Sequence, residues 1–285
     1  MNCVSPQHSH GRAATPENIW KVPAYLPYVQ PPLTDAAVAA AEAKIGHKLP
    51  ADYLNLLRQQ NGGYIRYSLP DRVHDTIAGI GPRFPSLENF DWSECQEFVG
   101  FPLTGLVPFD GDGHWHLCLD YRHCKDAPAV TYVDIECDHE TPVAASFKDY
   151  LGELKLDLGG DYVVEGVSDI HNIVAALSAA LRVRFEPPDT YAHGYPVHSA
   201  PLGTKKNPEW VWVSPNQVLR GFVRTDDARY NELKDLMPGE ASRFPEVPPD
   251  ACILNATDAV IAKVLDACAR SKIAVRPLRE YVCIN

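Results

Sequence analysis

Asp110-Gly-Asp112-Gly-His114-Trp-His116 places two carboxylates and two imidazoles within a short stretch. A strand through it would alternate its side chains, setting Asp110, Asp112, His114 and His116 on one face, a donor set a metal could use. The two glycines argue for a turn, and a hairpin tip with polar residues accounts for the same letters. A second acidic run follows, with Asp134, Glu136, Asp138 and Glu140 alternating in DIECDHE. It reads either as a stripe for a partner or as a solvated strand end and loop. Cys118, His123 and Cys124 could open a zinc site, but no second pair stands at a suitable spacing. In the C-terminal half, His193, Tyr195 and His198 share a loop with glycine and proline, where ligand contacts are often found. Trp210 and Trp212 alternate with Val211 and Val213, as core or, if exposed, as a partner or ligand surface. Eight cysteines and eleven histidines allow so many Cys–His pairs that none is informative. The chain has no G-x-S-x-G, H-E-x-x-H, P-loop or G-x-G-x-x-G pattern. No catalytic residue, metal or cofactor is expected.

The bulk properties narrow the field. A chain of 285 residues is comfortable for two domains, and 45% hydrophobic with 22% charged residues is ordinary for a soluble globular protein. The formal charge of −11 argues against sequence-independent nucleic-acid binding, which runs on clustered Lys and Arg. It fits attraction to a basic protein. No C-x-x-C pair occurs, so the cysteines read as reduced thiols of a cytosolic protein. The N-terminus lacks the apolar core of a signal peptide, and no apolar run is long enough to span a membrane. A cytoplasmic location follows as the expectation.

These residues must be positioned by the elements around them. Residues 1–33 carry Pro16, Pro23, Pro27, Pro31 and Pro32 and read as an extended arm that packs down in part. Thr34 caps a helix with Val38, Ala41 and Ile45 on one face, ended by Gly46. LPADYLNLLRQQNGG supplies a second helix, with Leu49 and Pro50 at its start and Tyr53, Leu54 and Leu57 as its buried stripe. Asn61, Gly62 and Gly63 supply the positive φ its end requires. Strands are expected over 63–69, 76–81, 106–121 and 129–137. A short helix carries Asp91, Glu94 and Glu97, and a closing helix is capped by Ser146. A helix pair, several adjacent strands and a helix imply α+β with a largely antiparallel sheet. DLGG at 157–160 marks a boundary, giving domains of 34–157 and 158–285. The second domain repeats strand-helix-strand, with its first helix capped by Ser168, and looks ferredoxin-like in outline.

KLPADYLNLLRQQNGGYI resembles the signature of the SUKH superfamily (SMI/KNR type), in which an L-P-x-x-Y/F-x-x-L-L helix runs into N-G-G. GLVPFDGDGHWHLCLDYR and AVTYVDIECDHETPVAASFKDYLGEL are similar to its later strands and closing helix, in the family's order. Leu49, Pro50, Tyr53, Leu57, Asn61, Gly62 and Gly63 carry the signature. The resemblance covers roughly residues 34–156 and implies a non-enzymatic binding protein. In bacteria such members are typically cytoplasmic immunity proteins that block a cognate toxin, often a nuclease; in yeast they regulate cell-wall synthesis. The resemblance therefore implies a toxin partner with a basic surface. Residues 1–155 hold 12 basic against 20 acidic residues, a net −8, and residues 156–285 hold 14 against 17, a net −3. The acidic excess lies on the recognised half, where Asp91, Glu94, Glu97, Asp110, Asp112, Asp134, Glu136, Asp138 and Glu140 are the candidate partner-binding residues. A regulatory or scaffolding module is the alternative, and an enzyme with its site around His193, Tyr195 and His198 or at the 110–116 hairpin is the third reading.

Overall fold

The computed structural model describes residues 17–156, 158–167, 169–204 and 206–282. They fall into two compact units that divide after residue 157.

In the N-terminal unit the first long element is α1 (Asp35–Ile45), where Thr34 Oγ1 accepts from Ala37 N–H at 3.2 Å and Gly46 closes the end at φ +81°. The next helix, α2 (Ala51–Gln59), starts one residue after Pro50, which is its N-cap; the Pro50 carbonyl accepts from Leu54 N–H at 3.0 Å. Its buried face is Tyr53, Leu56 and Leu57, with Leu54 only half-buried. Leu56 joins the expected stripe in the core, and Leu54 packs against the same core from its half-buried edge.

Gly62 and Gly63 both take positive φ, +87° and +127°. A Cβ on Gly62 would stand 2.5 Å from the backbone nitrogen of Gly79, so this corner needs glycine for space as well as for conformation. Asn61 does something different from the expected turn role. Its buried side chain takes Ile80 N–H on Oδ1 at 2.9 Å and donates Nδ2 to the carbonyls of Ile80 and Pro31 at 2.9 and 2.6 Å.

The stretch 63–81 holds only short pieces, Gly63–Tyr64 against Thr76–Ile77 and Tyr67–Ser68 against Lys155–Leu156. Residues 19–21 lie along them: Arg66 N–H reaches the Ile19 carbonyl and Lys21 N–H the Tyr64 carbonyl, each at 2.9 Å, and Ile19 is fully buried.

Four antiparallel strands form the main sheet: β1 (Leu106–Gly111), β2 (Trp115–Asp120), β3 (Ala129–Asp134) and β4 (His139–Ala144), paired in chain order. β4 falls where a loop was expected; it is an edge strand, so Pro142 needs no partner for its missing N–H. α3 (Phe147–Glu153) follows, with Ser146 Oγ accepting from Asp149 N–H at 3.1 Å. The core between α1, α2, α3 and the sheet is built on Tyr53, Leu57, Phe109, Leu117, Leu119, Phe147 and Tyr150.

The opposite face of the sheet is covered too. Val99, Leu103, Leu106, Cys118, Val133 and Ile135 form a second cluster with Trp92 and Phe101 against it. This is why β2 is buried along both faces, including Asp120, rather than alternating in and out.

The C-terminal unit has one five-stranded antiparallel sheet. Its strands are β5 (Tyr162–Val164), β6 (His198–Pro201), β7 (Trp210–Pro215), β8 (Cys252–Ala256) and β9 (Arg276–Pro277), in the order β6-β7-β8-β5-β9. Helices α4 (Ile170–Leu181) and α5 (Asp258–Arg270) connect β5 to the β6–β7 pair and β8 to β9. Ignoring the extra edge strand β6, this is the split βαβ arrangement of a ferredoxin-like sheet. The expected cap Ser168 lies outside the described residues; Asp169 caps α4, its carboxylate accepting from His171 N–H at 2.9 Å. Both helices pack on one face of the sheet, where Val211, Val213, Leu254, Leu177, Val264 and Ala267 make the core. Trp210 and Trp212 point to the other face and are half-buried.

Candidate functional site

The 110–116 hairpin separates the four residues that alternation would have grouped. A β-bulge interrupts the β1–β2 register between Pro108 and Asp110, so Asp110 turns to the same face as Phe109. Its carboxylate is almost wholly covered, 2.5 Å from His74 Nδ1 and accepting from Thr76 Oγ1. His74 Nε2 in turn meets Tyr150 Oη at 2.5 Å, and burial pushes the Tyr150 hydroxyl well above its usual pKa.

An Asp-His-Tyr relay of this kind could serve acid–base chemistry, but the His74 side chain has no solvent exposure. It ties the 74–76 segment to β1 and α3. Asp110 is thereby corrected: it is an internal acceptor, not part of a partner-facing surface. His74 was missed altogether, since a lone histidine in a turn segment carries no periodic signal.

The other three residues diverge. Asp112 and His114 stand exposed at the tip, where Asp112 Oδ1 accepts from the N–H groups of His114 and Trp115 at 2.9 and 3.2 Å. His114 Nδ1 lies 2.7 Å from Glu136 Oε1, a pair open to solvent. His116 points to the opposite face of the sheet and is buried, with Phe90 and Trp92 ring centroids 4.8 and 5.2 Å away. Its Nε2 has no hydrogen-bond partner, and burial pushes its pKa down to about 4, so the ring is neutral at pH 7. His116 lines a cavity of about 290 Å³ together with Phe84, Asn89, Phe90 and residues 108–113 of the hairpin. Among the described residues no group of three or more His, Cys, Asp or Glu is placed to hold a metal.

The remaining acidic residues sort by what they touch. Glu140 is held by Arg122 at 2.7 Å, and the same guanidinium bonds buried Asp120, which also accepts from Thr131 Oγ1 at 2.9 Å. Burial opposes the charge on Asp120, but the bonds from Arg122 and Thr131 outweigh it and hold the carboxyl below its usual range. Asp134, half-buried, accepts from Cys137 N–H at 2.8 Å. Glu140 thus has a structural task, and Asp134, like Asp138, ties a backbone N–H while keeping part of its surface in solvent. Asp91, Glu94, Glu97, Glu136 and Asp138 are exposed.

The structure brings two of these groups together. The segment expected to be a helix is instead a turn followed by one 3₁₀ turn (Gln96–Phe98), and it leads into Gly100, whose N–H donates to Asp138 Oδ1 at 2.6 Å. Acidic residues 91–97 and the β3–β4 turn therefore share one side of the domain. Phe98 lies among them, 63% exposed, with Phe84 (69%) on the wall of the His116 cavity.

In the C-terminal unit the three loop residues also part. His198 lies on β6, buried on the helix side of the sheet, its ring centroid 5.5 Å from that of His171. His193 and Tyr195 stack at 5.5 Å and line a cavity of about 320 Å³ on the opposite face, shared with Trp212, Ser214 and Arg243. Arg243 had no sequence signal, because it sits between short strands with no apolar period.

The N-terminal unit, then, is an α+β domain in which a helix pair and a closing helix cover one face of an antiparallel meander, leaving acidic turns exposed on the other side. Residues 32–153 match the model of the SMI1 / KNR4 family (SUKH-1), and the N-terminal half of the chain contains a SUKH domain. No curated protein and no solved structure matches the chain.

Proposed function

We propose that this protein is a cytoplasmic immunity protein that neutralises a cognate toxin by stoichiometric binding through its SUKH domain. The family match is compatible with that role. The observation that carries the reading is the surface just described: exposed Asp91, Glu94, Glu97, Glu136 and Asp138 on one side, with the apolar ring of Phe98 among them. Clustered carboxylates steer a basic protein into contact and select against other partners, while a few aromatic anchors supply most of the affinity. A nuclease has the complementary surface, because it must hold phosphates. The chemistry-bearing relay of the domain, His74, Asp110 and Tyr150, is internal and out of reach of a substrate, which favours binding over catalysis. Among the described residues no helix is long and apolar enough to cross a membrane.

The test is co-purification with the product of an adjacent toxin gene. A 1:1 complex at micromolar concentration and protection of cells expressing that toxin are expected. A regulatory module would instead recover several endogenous proteins and give no protection. Failure of the purified pair to associate would remove the proposal.

A further inference from the structure

In the ferredoxin-like sheet of the C-terminal unit, α4 and α5 both pack on one face. On the other face, Tyr195, Trp212, Ser214, Asn255, Asp161 and Arg243 line the open cavity of about 320 Å³. We propose that this cavity binds a small molecule with a single anionic head, a carboxylate or a phosphate, with Arg243 as its anchor.

Arg243 is set in place by its surroundings. Its N–H donates to the Asn216 carbonyl at 2.8 Å. Asn216, fully buried, donates Nδ2 to the carbonyls of Phe244, Val247 and Pro248, each at 3.1 Å, and accepts from Phe244 N–H at 2.9 Å. The backbone that carries Arg243 is thus locked by one internal side chain. The guanidinium lies 4.2 Å over the Tyr195 ring, with Nη1 donating to Ser214 Oγ at 2.7 Å and to the Pro215 carbonyl at 3.2 Å.

These contacts fix a planar fork but do not neutralise it. Among the described residues Asp161 is the one carboxylate on the cavity wall; it accepts from Asn255 Nδ2, and its charge acts on Arg243. Among the described residues, Asp161 is the Asp or Glu whose charge acts on Arg243, and desolvation outweighs it. Desolvation accordingly lowers the Arg243 pKa. A crowded guanidinium whose desolvation is not offset is costly, and its fork matches the two oxygens of a carboxylate or phosphate. The volume suits a ligand of a few to a dozen heavy atoms, and Asp161 on the same wall disfavours polyanions. Tyr195 is already occupied by Arg243 and His193, and Trp212 offers a flat surface for an apolar body attached to the anionic head. The site lies wholly within the C-terminal unit, so its occupancy can be measured whatever the SUKH domain binds.

Calorimetric titration of the full chain with benzoate and, separately, with inorganic phosphate, at matched ionic strength, tests this, with tryptophan fluorescence as the second readout. At least one probe should saturate with a Kd of about 1 mM or tighter. Benzoate alone would mark a carboxylate ligand, phosphate alone a phosphorylated one. Arg243→Gln should weaken binding by about tenfold or more, and Arg243→Lys, which keeps the charge but not the fork, should do so partly. Arg220→Gln, at an exposed position of the same unit, should bind as the unchanged protein does. If Arg243→Gln fails to fold, the Lys variant decides. The proposal is overturned if neither probe saturates, or if folded Arg243 variants bind as tightly as the unchanged protein.

Discussion

The side chain of Asn61 bonds both backbone groups of Ile80, taking its N–H on Oδ1 and giving Nδ2 to its carbonyl, each at 2.9 Å. It behaves as a fixed piece of β-ladder, closing the corner between α2 and the 76–81 segment in a place where water does not reach. Asn61→Ala would leave both groups of Ile80 buried without a partner. A loss of about 2–4 kcal/mol in unfolding free energy is expected, read from urea denaturation at neutral pH. A loss below about 1 kcal/mol would mean that the corner relaxes to let water in.

Asp110 and His74 make a second, separable prediction. Removing the acceptor with Asp110→Ala orphans His74 Nδ1 and Thr76 Oγ1 beside Phe109 and Tyr150. The expected cost is about 3 kcal/mol of stability, with affinity of the folded fraction for the proposed toxin partner unchanged. A variant that folds as stably as the original yet loses its partner would return Asp110 to the binding surface and contradict its burial.

How far such features could be read in advance follows from the range of the forces involved. Helix ends were legible because caps are local: Thr34, Gly46 and Ser146 act within a few residues of themselves. The signature corner was legible because Gly62 answers to two constraints at once, a positive φ and the backbone of Gly79. Asp110 was not, since one bulge reverses the face that alternation assigns it. Strand β4 was hidden because HETPVA lies at a sheet edge, where hydrogen bonding to one neighbour suffices and no apolar stripe is needed. Arg243 depends on Asn216 and Tyr195, residues distant in sequence that only the folded sheet brings together. The acidic surface was legible in composition but not in membership. Asp110 and Glu140 turned out to be held by His74 and Arg122, and Asp134 by the N–H of its own turn, while Glu94 and Glu97 stand in solvent.

His116 gives a pH prediction. Burial pushes its pKa down to about 4 in the folded protein, against about 6.5 in an unfolded chain. Between those values the unfolded chain holds more protons, so stability rises with pH across that window and falls on acidification from about 6.5 towards 4. The single residue accounts for about 2 kcal/mol between pH 7 and pH 4.5. His116→Phe, which keeps an aromatic ring against Phe90 and Trp92, should lose that part of the dependence. Urea denaturation of both proteins at the two pH values measures it. An equal loss in both would place the acid sensitivity elsewhere.

The proposed toxin interface makes the sharpest distinction between charge and anchor. Glu94, Glu97 and Glu136 are exposed, and none holds a buried partner, so replacing all three by Lys should leave the fold intact. Charge acts at long range during approach, whereas an apolar ring acts only once water has been expelled. The triple variant should therefore slow association by about tenfold or more at low salt, with dissociation nearly unchanged, and the difference should shrink as salt shortens the Debye length to about 3 Å at 1 M. Phe98→Ala should do the reverse, speeding dissociation with little change in association rate or salt dependence. Stopped-flow association and surface-immobilised dissociation separate the two. If the triple variant associates as fast as the unchanged protein at low salt, the acidic turns are a solvated face and the toxin binds elsewhere.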